Sequence, residues 1–155
     1  MKVAVIKYNA GNIRSVDYAL KRLGIEAVIT ADEAVLRAAD KVIFPGVGEA
    51  ETTMSFLRAG GMDRLIKELR QPVLGICLGM QLMCRHSEEG DVDCLGIFDT
   101  DVNVSFRRGT RIKYLIWDGI PLPGRIADFL KALLKKSLSI SYIVSMCQSM
   151  IVRQP

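Results

Sequence analysis

Short apolar runs alternate with segments of helical periodicity along the first hundred residues of this chain. Four runs rich in Val and Ile have the length of buried strands and are bounded by polar or turn residues: Lys2–Lys7, Ala27–Thr30, Lys41–Phe44 and Val73–Ile76. Other segments repeat apolar residues three or four positions apart, which predicts helices over Ile13–Leu23, Glu33–Ala39, Thr52–Ala59, Met62–Leu69 and Leu78–His86. This alternation indicates an α/β fold, a three-layer parallel sheet with helices on both faces.

Turn residues mark where the predicted elements end. Gly24 stops the first helix, which Asn12 can cap, and Pro45 with Gly46 ends the third strand. In parallel sheets, binding and catalytic sites form at the carboxyl ends of the strands. The loops after the third and fourth predicted strands both carry glycine, so they are the first candidates for a site.

Cys77 lies between a predicted strand and a predicted helix, with Gly75 and Gly79 two residues away on either side. This is the spacing of a nucleophile elbow, with Cys in place of Ser. The glycines leave room for a sharp turn, the helix N-terminus favours the thiolate and lowers the thiol pKa, and the N–H of Leu78 points where an oxyanion would form. The alternative is a buried structural cysteine, and the spacing favours the nucleophile.

A second glycine loop, Pro45–Gly48, follows the third predicted strand. Gly46, Val47 and Gly48 could present backbone N–H groups to an anion. Alone, such a loop is more typical of an ordinary strand exit. Beside a nucleophile elbow, it becomes a second candidate source of oxyanion donors.

His86 is the only histidine of the chain, although a thiol nucleophile usually needs a histidine base. It falls at the far end of the helix predicted to start after Cys77, which at ~1.5 Å per residue puts it beyond hydrogen-bond reach. We therefore interpret it as a surface or helix-end residue, so the triad base is absent. Gln81, one helical turn beyond Cys77, either contacts a substrate or is an exposed helix residue, and the pattern leaves both open.

Composition favours one cytoplasmic domain. Half of the 155 residues are apolar, which suffices for one core, but no run reaches the ~18 apolar residues of a membrane span. No signal-peptide pattern precedes Lys2. The cysteines show no metal-type spacing. Cys84 and Cys94 are interpreted as small residues that are either buried or at the surface.

Charge divides the chain sharply. Residues 1–105 carry a net charge of −3 and residues 106–155 a net charge of +7. Such a break predicts a basic tail or a segment of different origin. A basic amphipathic helix over Phe129–Ile143 could lie on an anionic membrane or on nucleic acid, and this is one interpretation of the tail.

Four stretches of the first part of the chain form a specific set: Tyr8–Asn12, Phe44–Gly48, Gly75–Gln81 and Ser87–Gly90. With them, residues 1–101 resemble the class I glutamine amidotransferases, and more closely the glutaminase subunits of imidazole glycerol phosphate synthases in histidine biosynthesis. The elbow alone would fit any enzyme of the class.

The resemblance implies a reaction and a partner. Cys77 would attack the side-chain amide of glutamine to form a glutamyl thioester, with the oxyanion held by Leu78 and by Gly46, Val47 and Gly48. Gln81 and Glu89 would hold the glutamine. Ammonia would pass to a (β/α)₈-barrel cyclase subunit that makes imidazole glycerol phosphate and an aminoimidazole ribotide, with Asn12 toward that partner. No metal or organic cofactor, nucleic acid or membrane is implied.

Residues 102–155 depart from the family pattern. They lack its Pro-His-Met-Gly-Trp-Asn stretch and the Gln-Phe-His-Pro-Glu stretch that supplies the triad His and Glu. Yet Lys113–Pro121 can be encoded as AAG TAC CTC ATA TGG GAT GGA ATA CCA, and dropping two bases gives Val-Pro-His-Met-Gly-Trp-Asn-Thr. The same offset over Ile140–Gln148 permits Phe-Val-His-Ser-Phe-Tyr-Val-Pro, similar to the family's next strand region.

We therefore predict an amidotransferase core over residues 1–101 and an aberrant basic tail over residues 102–155 that arises from a reading-frame shift near residues 102–110. The chain would then be a glutaminase by family but defective, because it lacks the triad His and Glu. Two alternatives remain: a non-catalytic module that binds the partner, and a cysteine hydrolase of a related nucleophile-elbow family.

Overall fold

The computed structural model describes residues 1–9, 12–106 and 113–116 of the chain. Its elements, in chain order, are β1 Val3–Ile6, α1 Ile13–Arg22, β2 Ala27–Thr30, α2 Glu33–Arg37, β3 Lys41–Gly46, α3 Ala50–Ala59, α4 Met62–Glu68, β4 Val73–Cys77, α5 Leu78–Leu82, β5 His86–Ser87, β6 Val92–Asp93, β7 Asp101–Phe106 and β8 Lys113–Ile116. The predicted helix over Phe129–Ile143 lies outside the described residues.

The main sheet is parallel and has the strand order β2-β1-β3-β4. Its four strands are the four that the Val- and Ile-rich runs predict. In the described part of the chain, β4 has a strand neighbour on one side only, so Cys77 ends a strand at the sheet's edge.

Helices pack on both faces of this sheet. Alternate residues of β1 point to opposite faces, as the two-residue period of a strand requires. Val3 and Val5 pack with Val16 and Leu20 of α1. Ala4 and Ile6 lie in the larger core with residues of α2, α3, α4 and α5, namely Leu36, Met54, Leu57, Leu65, Ile66 and Leu82. The predicted three-layer fold is therefore confirmed.

The third strand is longer than predicted. It runs to Gly46, where the register with β4 pairs Pro45 with Ile76 and Gly46 with Cys77. Pro45 is tolerated because β1 pairs with β3 only as far as Ile43, so the missing N–H removes no ladder hydrogen bond on that side. The strand end thus lies directly beside Cys77.

The predicted helix Leu78–His86 is wrong in its second half. Helix α5 ends at Leu82, and His86 lies in strand β5. The backbone there forms bonds to later segments instead of helical bonds: Arg85 N–H donates to Thr100 O at 2.8 Å, and Cys94 N–H donates to Arg85 O at 2.8 Å. These tertiary bonds outweigh the local helical pattern.

A small second sheet follows α5, with the order β6-β5-β7-β8. Strand β5 pairs antiparallel with β6 and parallel with β7. The turn between β5 and β6 contains two residues with positive φ, Gly90 at 82° and Asp91 at 47°. None of the helices in the described ranges has the length and apolar character needed to cross a membrane.

Candidate active site

Cys77 has a strained backbone at the junction of β4 and α5. Its φ is 53° and its ψ is −121°, in the region that favours glycine, and Leu78 begins the helix directly after it. For a residue with a Cβ, such a conformation costs about 1–3 kcal/mol of folding free energy. It persists because the packing of the surrounding residues offsets this cost. The turn projects the thiol at the carboxyl end of the sheet, as a nucleophile elbow does.

Three glycines make this turn possible because their backbones are in contact with neighbouring backbone. A Cβ on Gly75 would lie 2.6 Å from the Cα of Met80, and a Cβ on Gly46 would lie 2.5 Å from the N of Gly79. A Cβ on Gly79 would overlap the carbonyl oxygen of Phe44. The close approach of β3, β4 and α5 around the thiol therefore depends on glycine at all three positions.

The segment Gly46–Gly48 starts beside the thiol. Gly46 pairs with Cys77 in the sheet, Val47 is 49 % exposed, and Gly48 has a φ of 112°. Tyr8 holds the base of this segment, because its buried hydroxyl donates a 2.6 Å hydrogen bond to the carbonyl oxygen of Pro45. The end of β3 and the start of α5 thus lie beside Cys77, and an oxyanion hole formed by backbone N–H groups of Leu78 and Gly46–Gly48 stays a prediction.

Gln81 is not an exposed helix residue, since its side chain is 2 % exposed. Its Nε2 donates to Ser87 Oγ at 2.8 Å and to Glu89 Oε2 at 3.0 Å. The structure therefore brings the two predicted glutamine-binding residues, Gln81 and Glu89, into direct contact. Ser87, which the sequence analysis includes in the Ser87–Gly90 stretch without giving it a role, joins them.

The pKa of the Cys77 thiol is raised, whereas the sequence predicts that it is lowered. Burial raises the pKa of Cys77 above the ordinary value of a thiol, because desolvation disfavours the thiolate. The expected lowering by the helix N-terminus is not seen, since α5 has only five residues and the thiol is half-buried. A nucleophilic role of Cys77, which stays a prediction, would therefore require another group to remove the proton of the thiol.

Alkylation of Cys77 by iodoacetamide is expected to increase with pH and to reach half its maximal rate only above the ordinary thiol pKa of about 8.5. The reason is that only the thiolate reacts, and burial raises the pKa of this thiol. Mass spectrometry of the Cys77 peptide over a pH series measures the rate. A half-maximal rate near pH 7 would contradict the raised pKa.

Cys84 and Cys94 are internal comparators in that experiment. They are 1 % and 7 % exposed, and burial raises the pKa of Cys84 to about 12 and that of Cys94 to about 11. Both are expected to stay unmodified while the chain is folded.

His86 faces two carboxylates and not the thiol. Its Nε2 lies 3.3 Å from an oxygen of Asp91, and its Nδ1 lies 3.1 Å from an oxygen of Asp93. Both ring nitrogens are therefore engaged within the β5–β6 hairpin. The predicted position of His86 in a helix is wrong, but these contacts give a separate reason not to assign it as the base.

Asn12 has a structural role in the described residues. Its Oδ1 accepts a 3.2 Å hydrogen bond from the backbone N–H of Ser15, so it caps α1 as predicted. Its neighbours Ala10 and Gly11 lie outside the described residues, and its position toward a partner stays a prediction.

A strained cysteine elbow at the carboxyl end of a parallel sheet, flanked by a glycine segment, defines the class of protein. The family model for class I glutamine amidotransferases matches residues 4–113, and the chain belongs to that family. A solved structure described as a glutamine amidotransferase superposes with a TM-score of 0.56 at 27 % identity, covering 66 % of this chain and 56 % of that one.

The curated relatives point to one subgroup of the family. A Bacteroides fragilis protein named imidazole glycerol phosphate synthase subunit HisH is 87 % identical over 102 residues, 66 % of this chain and 52 % of that protein. A protein of the same name from Bacteroides thetaiotaomicron is 70 % identical over 122 residues, 77 % of this chain and 62 % of the relative. A protein of the same name from Xanthomonas oryzae is 48 % identical over 117 residues, which is 75 % of this chain and 58 % of that protein. The chain spans about half the length of the first of these relatives.

Proposed function

We propose that this chain derives from the glutaminase subunit of an imidazole glycerol phosphate synthase, which hydrolyses glutamine to glutamate and ammonia. The observation that carries the proposal is the left-handed backbone of Cys77 at the β4–α5 junction, enclosed by Gly46, Gly75 and Gly79. The relatives that share this subunit name support the choice within the family.

In the proposed reaction, Cys77 Sγ attacks the carboxamide carbon of glutamine. Backbone N–H groups of Leu78 and of the Gly46–Gly48 segment stabilise the oxyanion of the tetrahedral intermediate. As the C–N bond breaks, the leaving nitrogen takes up the proton lost by the thiol and departs as ammonia. Water then hydrolyses the remaining thioester to glutamate and regenerates the Cys77 thiol. A general base must take the thiol proton, because burial keeps Cys77 protonated near neutral pH.

The 155 residues do not offer such a base, since their one histidine is His86. We propose that residues 102–155 are read in a shifted frame, which removes the triad His and Glu. Two observations support this: the charge break and the two family-like stretches in the other frame.

The proposed partner is a (β/α)₈-barrel cyclase subunit that receives the ammonia, forming a heterodimer in the cytoplasm. The subunit name of the relatives supports an assembly. Asn12, at the start of α1, is the residue proposed to lie toward that partner.

A non-catalytic partner-binding module is the second candidate function. It is favoured by one observation, that both ring nitrogens of the only histidine are engaged by Asp91 and Asp93. Such a module would bind the barrel subunit without hydrolysing glutamine. A cysteine hydrolase of a related family is less favoured, because the family match covers the residues around Cys77.

Glutamine is expected to protect Cys77 from alkylation by iodoacetamide in the 155-residue chain, because the proposed substrate site lies over the thiol. The rate of Cys77 modification is measured by mass spectrometry at increasing glutamine, with asparagine, which is one methylene shorter, as the matched control. Protection by glutamine alone is the expected result. Equal rates with and without glutamine would contradict the proposed substrate.

A further inference from the structure

Ser87 connects the two residues proposed to hold glutamine, although it lies in a two-residue strand that has no periodic pattern. Its side chain is fully buried, at 0 % exposed. Its Oγ accepts one hydrogen bond from Gln81 Nε2 at 2.8 Å and another from the backbone N–H of Glu89 at 3.2 Å. The same Oγ lies 3.5 Å from the carbonyl oxygen of Glu89, to which it donates.

These contacts use the whole hydrogen-bonding capacity of the hydroxyl. A serine hydroxyl has one hydrogen to donate and two lone pairs that accept. Gln81 and the N–H of Glu89 occupy the lone pairs, and the Glu89 carbonyl takes the hydrogen. The hydroxyl is therefore fixed in orientation, and it fixes the groups bound to it.

The contacts also determine which way the amide of Gln81 points. A carboxylate only accepts hydrogen bonds, so the amide atom beside Glu89 Oε2 must be the nitrogen. That nitrogen donates to Ser87 Oγ and to Glu89 Oε2, which uses both of its hydrogens. The oxygen Oε1 of Gln81 is then left to accept from a ligand.

We propose that Ser87 is a positioning residue for the substrate glutamine, which it helps to order by fixing the Gln81 amide and the Glu89 backbone together. This inference rests on the proposed function, because it assumes that glutamine is the ligand. It deepens that function by naming a residue that positions the two side chains proposed to hold the substrate.

The hairpin that carries these residues has supports independent of the Ser87 hydroxyl. Glu88 N–H donates to Val102 O at 2.9 Å, and Asp91 N–H donates to Glu88 O at 3.3 Å. Gly90 packs so closely on helix α3 that a Cβ there would lie 2.8 Å from the Cβ of Glu51. Replacing Ser87 with alanine is therefore expected to leave the hairpin folded while releasing the Gln81 amide.

The test measures the glutamine concentration that halves the rate at which iodoacetamide alkylates Cys77. It is carried out on the full 155-residue chain and on its variants. Ser87→Ala is expected to raise the half-protecting glutamine concentration about tenfold, the effect of one lost hydrogen bond to a positioned group. The alkylation rate without glutamine is expected to stay unchanged. Ser87→Thr keeps the hydroxyl and is expected to restore protection.

Thr53→Val is the matched control. Thr53 is a second buried hydroxyl residue, 5 % exposed, on helix α3, and its loss is expected to leave protection unchanged. Buried Cys84 and Cys94 report on loosening, because they react only if the structure opens. The proposal would be overturned if the half-protecting glutamine concentration of Ser87→Ala lay within twofold of that of the chain without substitutions. It would also be overturned if Ser87→Ala lost protection and Cys84 and Cys94 became modified at the same time. Absence of protection in the unmodified chain would overturn the proposed function instead.

Discussion

Restoring the reading frame after about residue 101 is expected to raise glutaminase activity by about 10²–10⁴-fold over the 155-residue chain. This is the usual contribution of a positioned general base. The effect is expected to be large here because burial raises the pKa of Cys77, so few molecules carry the thiolate at neutral pH. The 155-residue chain itself is expected to show negligible activity.

The experiment begins with the gene, sequenced from fresh DNA across codons 95–125. A changed base count there would give the natural frame directly. If the sequence is unchanged, the frame is restored by deliberate insertion or deletion. Glutamate release is then measured for the two chains and for the restored chain carrying Cys77→Ala, which is expected to be inactive. Measurable, Cys77-dependent hydrolysis by the 155-residue chain would contradict the requirement for the missing base.

Gly79→Ala is expected to destabilise the fold by about 3 kcal/mol or more, or to prevent folding. The added Cβ would overlap the carbonyl oxygen of Phe44, which belongs to the backbone of β3 and cannot turn away as a side chain can. Overpacking a well-packed interior costs about 1–3 kcal/mol and sometimes more, and a clash with backbone lies at the upper end. Relief would require α5 to move away from β3, which would also displace Leu78 from its proposed place in the oxyanion hole.

Gly60→Ala is the matched control for that substitution. A Cβ at Gly60 would lie 3.7 Å from the nearest atom, an ordinary contact, and its φ of −92° suits any residue. It is expected to be neutral or to stabilise by up to about 1 kcal/mol. Urea unfolding of the two variants and the unmodified chain gives the comparison. Equal unfolding midpoints for Gly79→Ala and Gly60→Ala would show that α5 is not packed against β3 as described.

The main sheet could be predicted from sequence because its strands are runs of apolar residues with glycine or proline nearby. The sharp turn at Cys77 could be predicted because such a turn needs glycine at fixed spacing, and Gly75 and Gly79 provide it. Both are local signals. They depend on residues close together in the chain, so they can be recognised without knowledge of the tertiary structure.

The second sheet could not be predicted from the same signals. Strands β5 and β6 have two residues each, too short for any period to be visible. His86 follows a helical pattern, yet its backbone neighbours bond to segments that come later in the chain. The contact between Gln81 and Ser87 depends on this turn away from the helix.

The sign of the Cys77 pKa shift also could not be read from sequence. A helix N-terminus lowers a thiol pKa and burial raises it, and only the packed structure shows which is larger. Here five helical residues follow a thiol that is half-buried, and burial prevails.

Cys77 stands at the end of β4, which in the described part of the chain forms one border of the sheet. Sheets are extended by strands added at their borders. A strand added beside β4 would run directly past the thiol, whereas a strand added beside β2 would be separated from it by two other strands. A strand added beside β2 would therefore leave the surroundings of Cys77 unchanged, whereas any strand added beside β4 would alter them.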